Sequence, residues 1–219
     1  MGAIKLKGRS PVWEKEFSIA GINLKHNLRL SVLVSVAIVL LAPVIFGTAN
    51  LDRKASAVPL EMFVSLIGIV LLTPVYQPEQ NEELDDLVSS KSMSQTRVCL
   101  IRVLCAAAIL TALIGLFCVY LGFRSCDVSL LSAAGTVANA VFLGSLGMMT
   151  AALSGSTVIA YMIPMVYYTL NYGMGARLGH YWLVSMSVED YAPKAWLFLT
   201  GIALIAGSLA VKRLKRRFR

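Results

Sequence analysis

The longest uncharged run in the chain lies between Val128 and Ala176. A membrane-spanning helix needs roughly 20 mostly apolar residues, so this run is much longer than one crossing requires. Ser154, Gly155 and Ser156 interrupt it with residue types that favour turns over helix interiors. The run therefore predicts two membrane helices joined by a short hairpin at these three residues.

Other apolar segments are also long enough to form membrane helices. Of all residues, 57% are hydrophobic and 15% are charged, compared with about 25% charged residues in soluble domains. We therefore predict an all-α fold, a polytopic integral membrane protein with six transmembrane helices. The predicted spans are 30–50, 58–76, 103–123, 128–153, 157–171 and 195–211. They form one transmembrane domain, 30–211, between a cytoplasmic leader, 1–29, and a basic tail, 212–219. The first span is expected to be an uncleaved anchor, since its polar leader is long for a signal peptide.

The distribution of Lys and Arg predicts the orientation of these helices. Most of the 20 Lys and Arg residues lie in the leader, the tail and the loop 77–102. This distribution predicts a protein of the plasma (inner) membrane with both termini and this loop in the cytoplasm. The outward loops would share the remaining basic residues, Arg53, Lys54, Arg124, Arg177 and Lys194. This clustering indicates anionic membrane lipid, rather than nucleic acid, as the partner of the basic ends.

The cytoplasmic loop contains an acidic stretch, Pro78–Arg97. Leu84, Leu87 and Val88 have the spacing of one helical face, and most of the carboxylates fall on the opposite face. Anionic lipid would repel an acidic helix, so the pattern favours a short amphipathic helix that binds a protein. A solvated loop is the alternative interpretation.

Three further patterns concern the rest of the chain. Trp13 and Phe17, among charged residues, predict an interfacial helix in the leader, with a disordered leader as the alternative. Glycines and aromatic residues between Leu170 and Lys194 are typical of a broken or re-entrant outward segment covered by protein.

In the fourth span, Asn139 predicts either an interhelical hydrogen bond or a cargo path or subunit interface. Small residues such as Gly144 and Gly147 allow close helix contact.

These features together resemble the permease subunits of ABC-2 class ATP-binding-cassette exporters. The resemblance covers nearly the whole chain, and its strongest part is Thr73-Pro74-Val75-Tyr76-Gln77-Pro78-Glu79 with the acidic and Ser-rich residues that follow. The chain departs from the family pattern because no Gly follows soon after Glu79 and the Ser-rich bend has no Pro. The resemblance implies that the acidic helix is a coupling helix contacting the ATPase. The residues it assigns to that contact are Glu79, Glu82, Glu83, Leu84, Leu87, Val88, Ser89 and Ser94.

The resemblance also implies the partners and the mechanism. Two copies of a separate cytoplasmic ATPase would bind ATP and Mg, and two copies of the permease would move an amphipathic or hydrophobic cargo by alternating access. Ser154, Gly155 and Ser156 would form a second cytoplasmic hairpin. No GxxxxGK[ST] motif occurs in the sequence, so this chain itself is expected to hold no cofactor and to be no enzyme.

Other functional classes fit the residues less well. An EExxxR intramembrane protease would use Glu82 and Glu83, but Leu87 stands where the arginine belongs. A metal-dependent lipid transferase would need a third Asp near Asp85 and Asp86. The four cysteines, Cys99, Cys105, Cys118 and Cys126, lack metal-site spacing, so no metal is expected. A membrane scaffold or an immunity protein stays as the alternative to a transporter.

The predicted orientation is tested by single cysteines placed in the leader and in the tail. Because both ends are expected inside, a membrane-impermeant thiol reagent should label neither end in intact cells and both ends after lysis. Labelling of either end in intact cells would contradict the orientation.

Overall fold

The computed structural model describes residues 28–80 and 95–217, and in these ranges the chain forms helices and no strand. This confirms the all-α prediction. The α-helices are α1 (Arg29–Phe46), α2 (Arg53–Met62), α3 (Ile67–Leu72), α4 (Gln95–Phe123), α5 (Leu130–Ser154), α6 (Thr157–Met174) and α7 (Ala192–Arg217). Short 3₁₀ turns cover Val64–Leu66, Thr73–Gln80, Gly175–Tyr181 and Met186–Val188.

Within the described ranges, 5 segments are long and apolar enough to cross a membrane: Arg29–Phe46, Arg53–Gln77, Val98–Phe123, Leu130–Ser154 and Ala192–Lys215. This confirms a membrane protein of helical type. The predicted span 157–171 lies within helix α6. Several tyrosines and Asn171 make α6 more polar than the other segments, so a sixth crossing stays a prediction.

Helix α5 lies at the centre of the bundle. It contacts α3, α4, α6 and α7. In its most apolar 18-residue stretch, 72% is buried, compared with 17% in the corresponding stretch of α1. Small residues explain how closely α3 approaches it. A Cβ added to Gly68 would lie 1.9 Å from the carbonyl oxygen of Ala140, and one added to Gly144 would lie 2.4 Å from that of Gly68. The two backbones are therefore in contact, as predicted for small residues at this spacing.

The second span is broken into two α-helices. Pro59 lies inside α2, and the backbone leaves helical geometry at Phe63, where φ is −121° and ψ is −53°. A 3₁₀ turn follows before α3 begins at Ile67. The hydroxyl of Ser65 donates a hydrogen bond to the carbonyl of Glu61, a contact that often accompanies a bend in a helix. The break leaves Glu61 in the last turn of α2.

Two groups of contacts lie at the two ends of the bundle, which we call the upper end and the lower end. At the upper end, the α1–α2 loop pairs with the α4–α5 loop: Asn50 N–H donates to Arg124 O at 3.1 Å, and Asp127 N–H donates to Leu51 O at 3.0 Å. At the lower end, the hydroxyls of Tyr76 and Ser208 lie 2.9 Å apart. Successive spans from α1 to α5 therefore run in opposite directions along the chain, whereas α3, α5 and α7 all run from the upper end to the lower end.

The helices do not begin and end at the same residues as the predicted spans. Helix α1 ends at Phe46 rather than at residue 50, because Gly47 adopts a left-handed conformation with φ of 60° that closes the helix. Helix α4 begins at Gln95 rather than at 103. Helix α7 extends from Ala192 to Arg217, beyond the predicted 195–211, so most of the predicted basic tail is a continuation of the last helix.

Large apolar side chains cover the outward face of several helices. On α1, Leu30 is 73% exposed, Leu40 67% and Val44 78%. In water such a surface would promote aggregation, whereas lipid chains cover it at no cost. The exposed faces therefore agree with the spans found from length and composition.

The contact between α3 and α5 can be tested by adding one methyl group. Gly68→Ala should lower the free energy of unfolding by about 1–3 kcal/mol, because the new Cβ meets backbone atoms that cannot move aside. Thermal unfolding in detergent measures the change. Gly115→Ala is the matched control, since nothing lies within 4 Å of its added Cβ, and it should be neutral or slightly stabilising. Equal melting temperatures for the two variants would refute the close contact.

Candidate functional site

The segment between α6 and α7 enters the bundle without forming a regular helix. Leu183 is 1% exposed, and Ser185 and Met186 are 0% exposed. Gly175 and Gly179 have φ of 54° with ψ of −135° and −118°, a conformation that is essentially restricted to glycine. In the apolar part of a membrane, such backbone needs internal partners for its N–H and C=O groups.

Glu61 supplies partners for two of these groups. Its side chain is fully buried, with Oε1 accepting a hydrogen bond from Met186 N–H at 2.8 Å and Oε2 accepting one from Ser187 N–H at 3.2 Å. A carboxylate accepts such bonds best when it is ionised. The buried charge then needs a cation nearby.

Lys194 is that cation. Its Nζ lies 2.6 Å from Glu61 Oε1, and its side chain is 6% exposed. The ammonium group also donates to Asn139 Oδ1 at 3.1 Å and to the carbonyl of Leu183. An ammonium group has three donors, so all of them are used within the protein.

Two asparagines hold the backbone of Leu183 from both sides. Asn139 Nδ2 donates to Leu183 O at 2.9 Å, and Asn171 Oδ1 accepts from Leu183 N–H at 2.8 Å. Asn171 Nδ2 also donates to Tyr181 O at 3.0 Å. We call Glu61, Asn139, Asn171 and Lys194 the polar clamp; α2, α5, α6 and α7 contribute one residue each.

The polar clamp was only partly predictable. The interhelical hydrogen bond predicted for Asn139 is confirmed, and its partner is Lys194. The assignment of Lys194 to an outward loop was wrong, because the residue lies in the first turn of α7 and turns into the bundle. Glu61 was missed, although a single carboxylate inside a predicted span is a known signal of a functional or paired group.

Gly144 and Gly147 are buried in contacts within the chain. Gly144 packs on Gly68 and Leu72, and a Cβ added to Gly147 would lie 2.1 Å from Thr73 Oγ1. They therefore serve helix packing. That they or Asn139 also line a cargo path or a subunit interface stays a prediction.

The predicted hairpin at Ser154, Gly155 and Ser156 forms the turn between α5 and α6. Gly155 has φ of 69°, and its N–H donates to Ala151 O at 3.0 Å, which closes α5. Lys215 reaches this turn from α7, with Nζ 2.9 Å from Ala152 O and 2.6 Å from Leu153 O. The lysine therefore supplies a positive charge at the carbonyl end of α5, where the helix dipole favours it.

Most of the predicted coupling helix lies outside the described residues. The residues of this helix that lie outside are Glu82, Glu83, Leu84, Leu87, Val88, Ser89 and Ser94. Trp13 and Phe17 of the predicted interfacial helix also lie outside the described residues. Glu79 falls in the turn Thr73–Gln80. Just before it, the ring of Tyr76 is fully enclosed, with Lys212 Nζ 5.0 Å from its centre. Tyr76, which precedes the acidic stretch, is therefore in contact with α7.

Comparisons with known protein families, with curated proteins and with solved structures found no match to this chain.

The polar clamp makes a prediction about stability. Glu61→Leu or Lys194→Met alone should lower the free energy of unfolding by about 3–5 kcal/mol, because each leaves a buried charge unpaired. The double variant should recover the part of this loss that comes from the unpaired charge, but not the part that comes from Met186 N–H and Ser187 N–H, which lose their acceptor. Thermal unfolding of the four proteins gives the coupling energy.

The exposed ion pair of Arg53 and Asp127 is the matched control for this cycle. Their charged atoms are 3.4 Å apart, and their side chains are 50% and 58% exposed. Removing either partner should change stability by about 0–1 kcal/mol. A similarly small effect at Glu61 and Lys194 would contradict the importance of the clamp.

Proposed function

We propose that this chain is the transmembrane permease subunit of an ATP-driven exporter of the ABC-2 class. The observation that carries the proposal is the irregular segment Gly175–Val188 before the last helix, in which Leu183, Ser185 and Met186 are buried in the bundle. The resemblance in sequence implies an outward re-entrant element at this position. The polar clamp supports that interpretation because it supplies the internal partners that backbone at membrane depth requires.

Helix α6 is then the fifth crossing in chain order and brings the total to six. Helix α5 ends at the lower end, where Lys215 contacts it, and the polar clamp joins the first turn of α7 to the last turn of α6. Helix α6 therefore leads from the lower end back toward the upper end. With six crossings, both termini lie on one side, which the basic residues assign to the cytoplasm.

In this proposal, the lower end faces the ATPase. The acidic stretch begins two residues after Tyr76, and the hairpin at Ser154–Ser156 lies beside Lys215. Both loops are thus attached to the same part of α7. ATP and Mg would be held by two ATPase subunits, and two copies of this chain would enclose the path. The scarcity of charges in the spans favours an amphipathic or hydrophobic cargo.

Docking of the ATPase is tested with variants in the acidic stretch. Leu87→Ala should weaken the complex more than Asp85→Asn, because burying a leucine is worth roughly 1.5–3 kcal/mol, while an exposed ion pair is worth about 0–1 kcal/mol. Affinity purification from native membranes, with the partner identified by its P-loop sequence, measures the retained ATPase.

Reversal of Glu79, Glu82 and Glu83 to Lys tests the charged face of the same stretch. The triple variant should insert into the membrane normally but lose ATPase binding and coupled hydrolysis, because its charge no longer complements a basic partner. Reversal of Glu189 and Asp190, at the other end of the bundle, is the control and should retain the partner. If no P-loop ATPase accompanies the wild-type chain, the proposal is wrong and a scaffold or immunity protein is favoured.

A further inference from the structure

The polar clamp depends on the relative position of four helices. Each helix contributes one side chain, and all four side chains meet the stretch between Tyr181 and Ser187. A movement of α2 away from α7 would separate Glu61 from Lys194 and remove the partners of Met186 N–H and Ser187 N–H. The segment can therefore stay at its present depth only in one arrangement of the bundle.

The chemistry of the clamp favours two separate states over a gradual change. In the closed arrangement, every donor of Lys194 and both oxygens of Glu61 have partners. A small separation would leave charges buried without partners, which is strongly unfavourable. A larger separation admits water, which solvates both charges again. An apolar pair has no second favourable state of this kind.

Helix α7 joins the clamp to the lower end. It carries Lys194 in its first turn, while Ser208, Lys212 and Lys215 contact Tyr76 and the end of α5. A displacement at the lower end therefore reaches the clamp through a single continuous helix. This connection gives ATP-driven movement a physical route to the segment.

We propose that the polar clamp is the closed latch of an outer gate, and that the Glu61–Lys194 pair separates and becomes hydrated when ATP drives the transport cycle. This inference rests on the proposed function. It assigns Glu61 and Lys194 a role in switching the gate, in addition to their role in holding the segment, and it identifies Leu183–Ser187 as the part of the gate that moves.

Ser185 provides a probe of this movement. It is 0% exposed, and its hydroxyl has no hydrogen-bond partner, so replacing it with cysteine removes no bond. In the closed state a thiol at this position is shielded from water. Opening of the clamp would expose it to a charged, water-soluble thiol reagent.

The experiment uses the complex of the full chain with its ATPase in lipid nanodiscs. Ser185→Cys is treated with a trimethylammonium methanethiosulfonate reagent, with and without ATP and vanadate, and labelling is read on individual peptides by mass spectrometry. The labelling rate should rise by about tenfold or more in the vanadate-trapped state, since the rate follows the population of the open form. Met186→Cys, also buried, is the second probe.

Val188→Cys is the control for reagent reactivity. Val188 is 56% exposed, so its labelling rate should be similar in both states. If the ATPase traps vanadate but the buried probes label equally slowly in both states, the gate is overturned and the proposed function stands. If no ATPase is bound to the wild-type chain, both the exporter function and the gate are wrong.

The Glu61→Leu/Lys194→Met variant separates switching from simple support. It should still bind the ATPase, but labelling of the buried probe should be the same with and without vanadate, because no charged pair remains whose hydration favours a second state. A wild-type rise in this variant would show that the charges only support the segment and would overturn their switching role.

Discussion

The ion pair between Glu61 and Lys194 determines how the segment between α6 and α7 can be built. Backbone that is not helical cannot enter an apolar region unless every polar group finds a partner. Here, the partners come from side chains that are themselves costly to bury. Each of these costs is offset only when the other members of the clamp are present, so the present arrangement of the segment, α2 and α7 depends on all of them.

The packing of α3 against α5 places this pair correctly. Contact between Gly68 and Gly144 sets the depth of the second span relative to the central helix. The break at Phe63 then turns α2 so that Glu61 meets the segment. The glycines allow the backbones of α3 and α5 to touch. This contact positions α5 so that Asn139 reaches Lys194 in the clamp.

Local sequence predicted the parts of the fold that depend on local physics. The uncharged runs predicted the helices, and Ser154–Gly155–Ser156 predicted the turn, because apolar length and turn propensity act over a few residues. Asn139 was recognised because one amide in a span needs a partner. The partner itself was not found, since Lys194 lies far along the chain and its position beside Pro193 resembles a loop. The contacts of Lys212 and Lys215 were missed because a run of basic residues after an apolar segment is also typical of a tail that binds lipid headgroups.

The two lysines at the ends of α7 also fix how this helix fits a bilayer. Lys194 and Lys215 lie about 20 residues apart, which is about 30 Å along an α-helix and close to the thickness of the hydrocarbon core. Both side chains are held by the protein instead of reaching freely toward the headgroups. Helices usually adapt to a thinner or thicker bilayer by tilting or by extending such side chains. With both side chains held, α7 can adapt to the bilayer only by moving together with the helices that hold them.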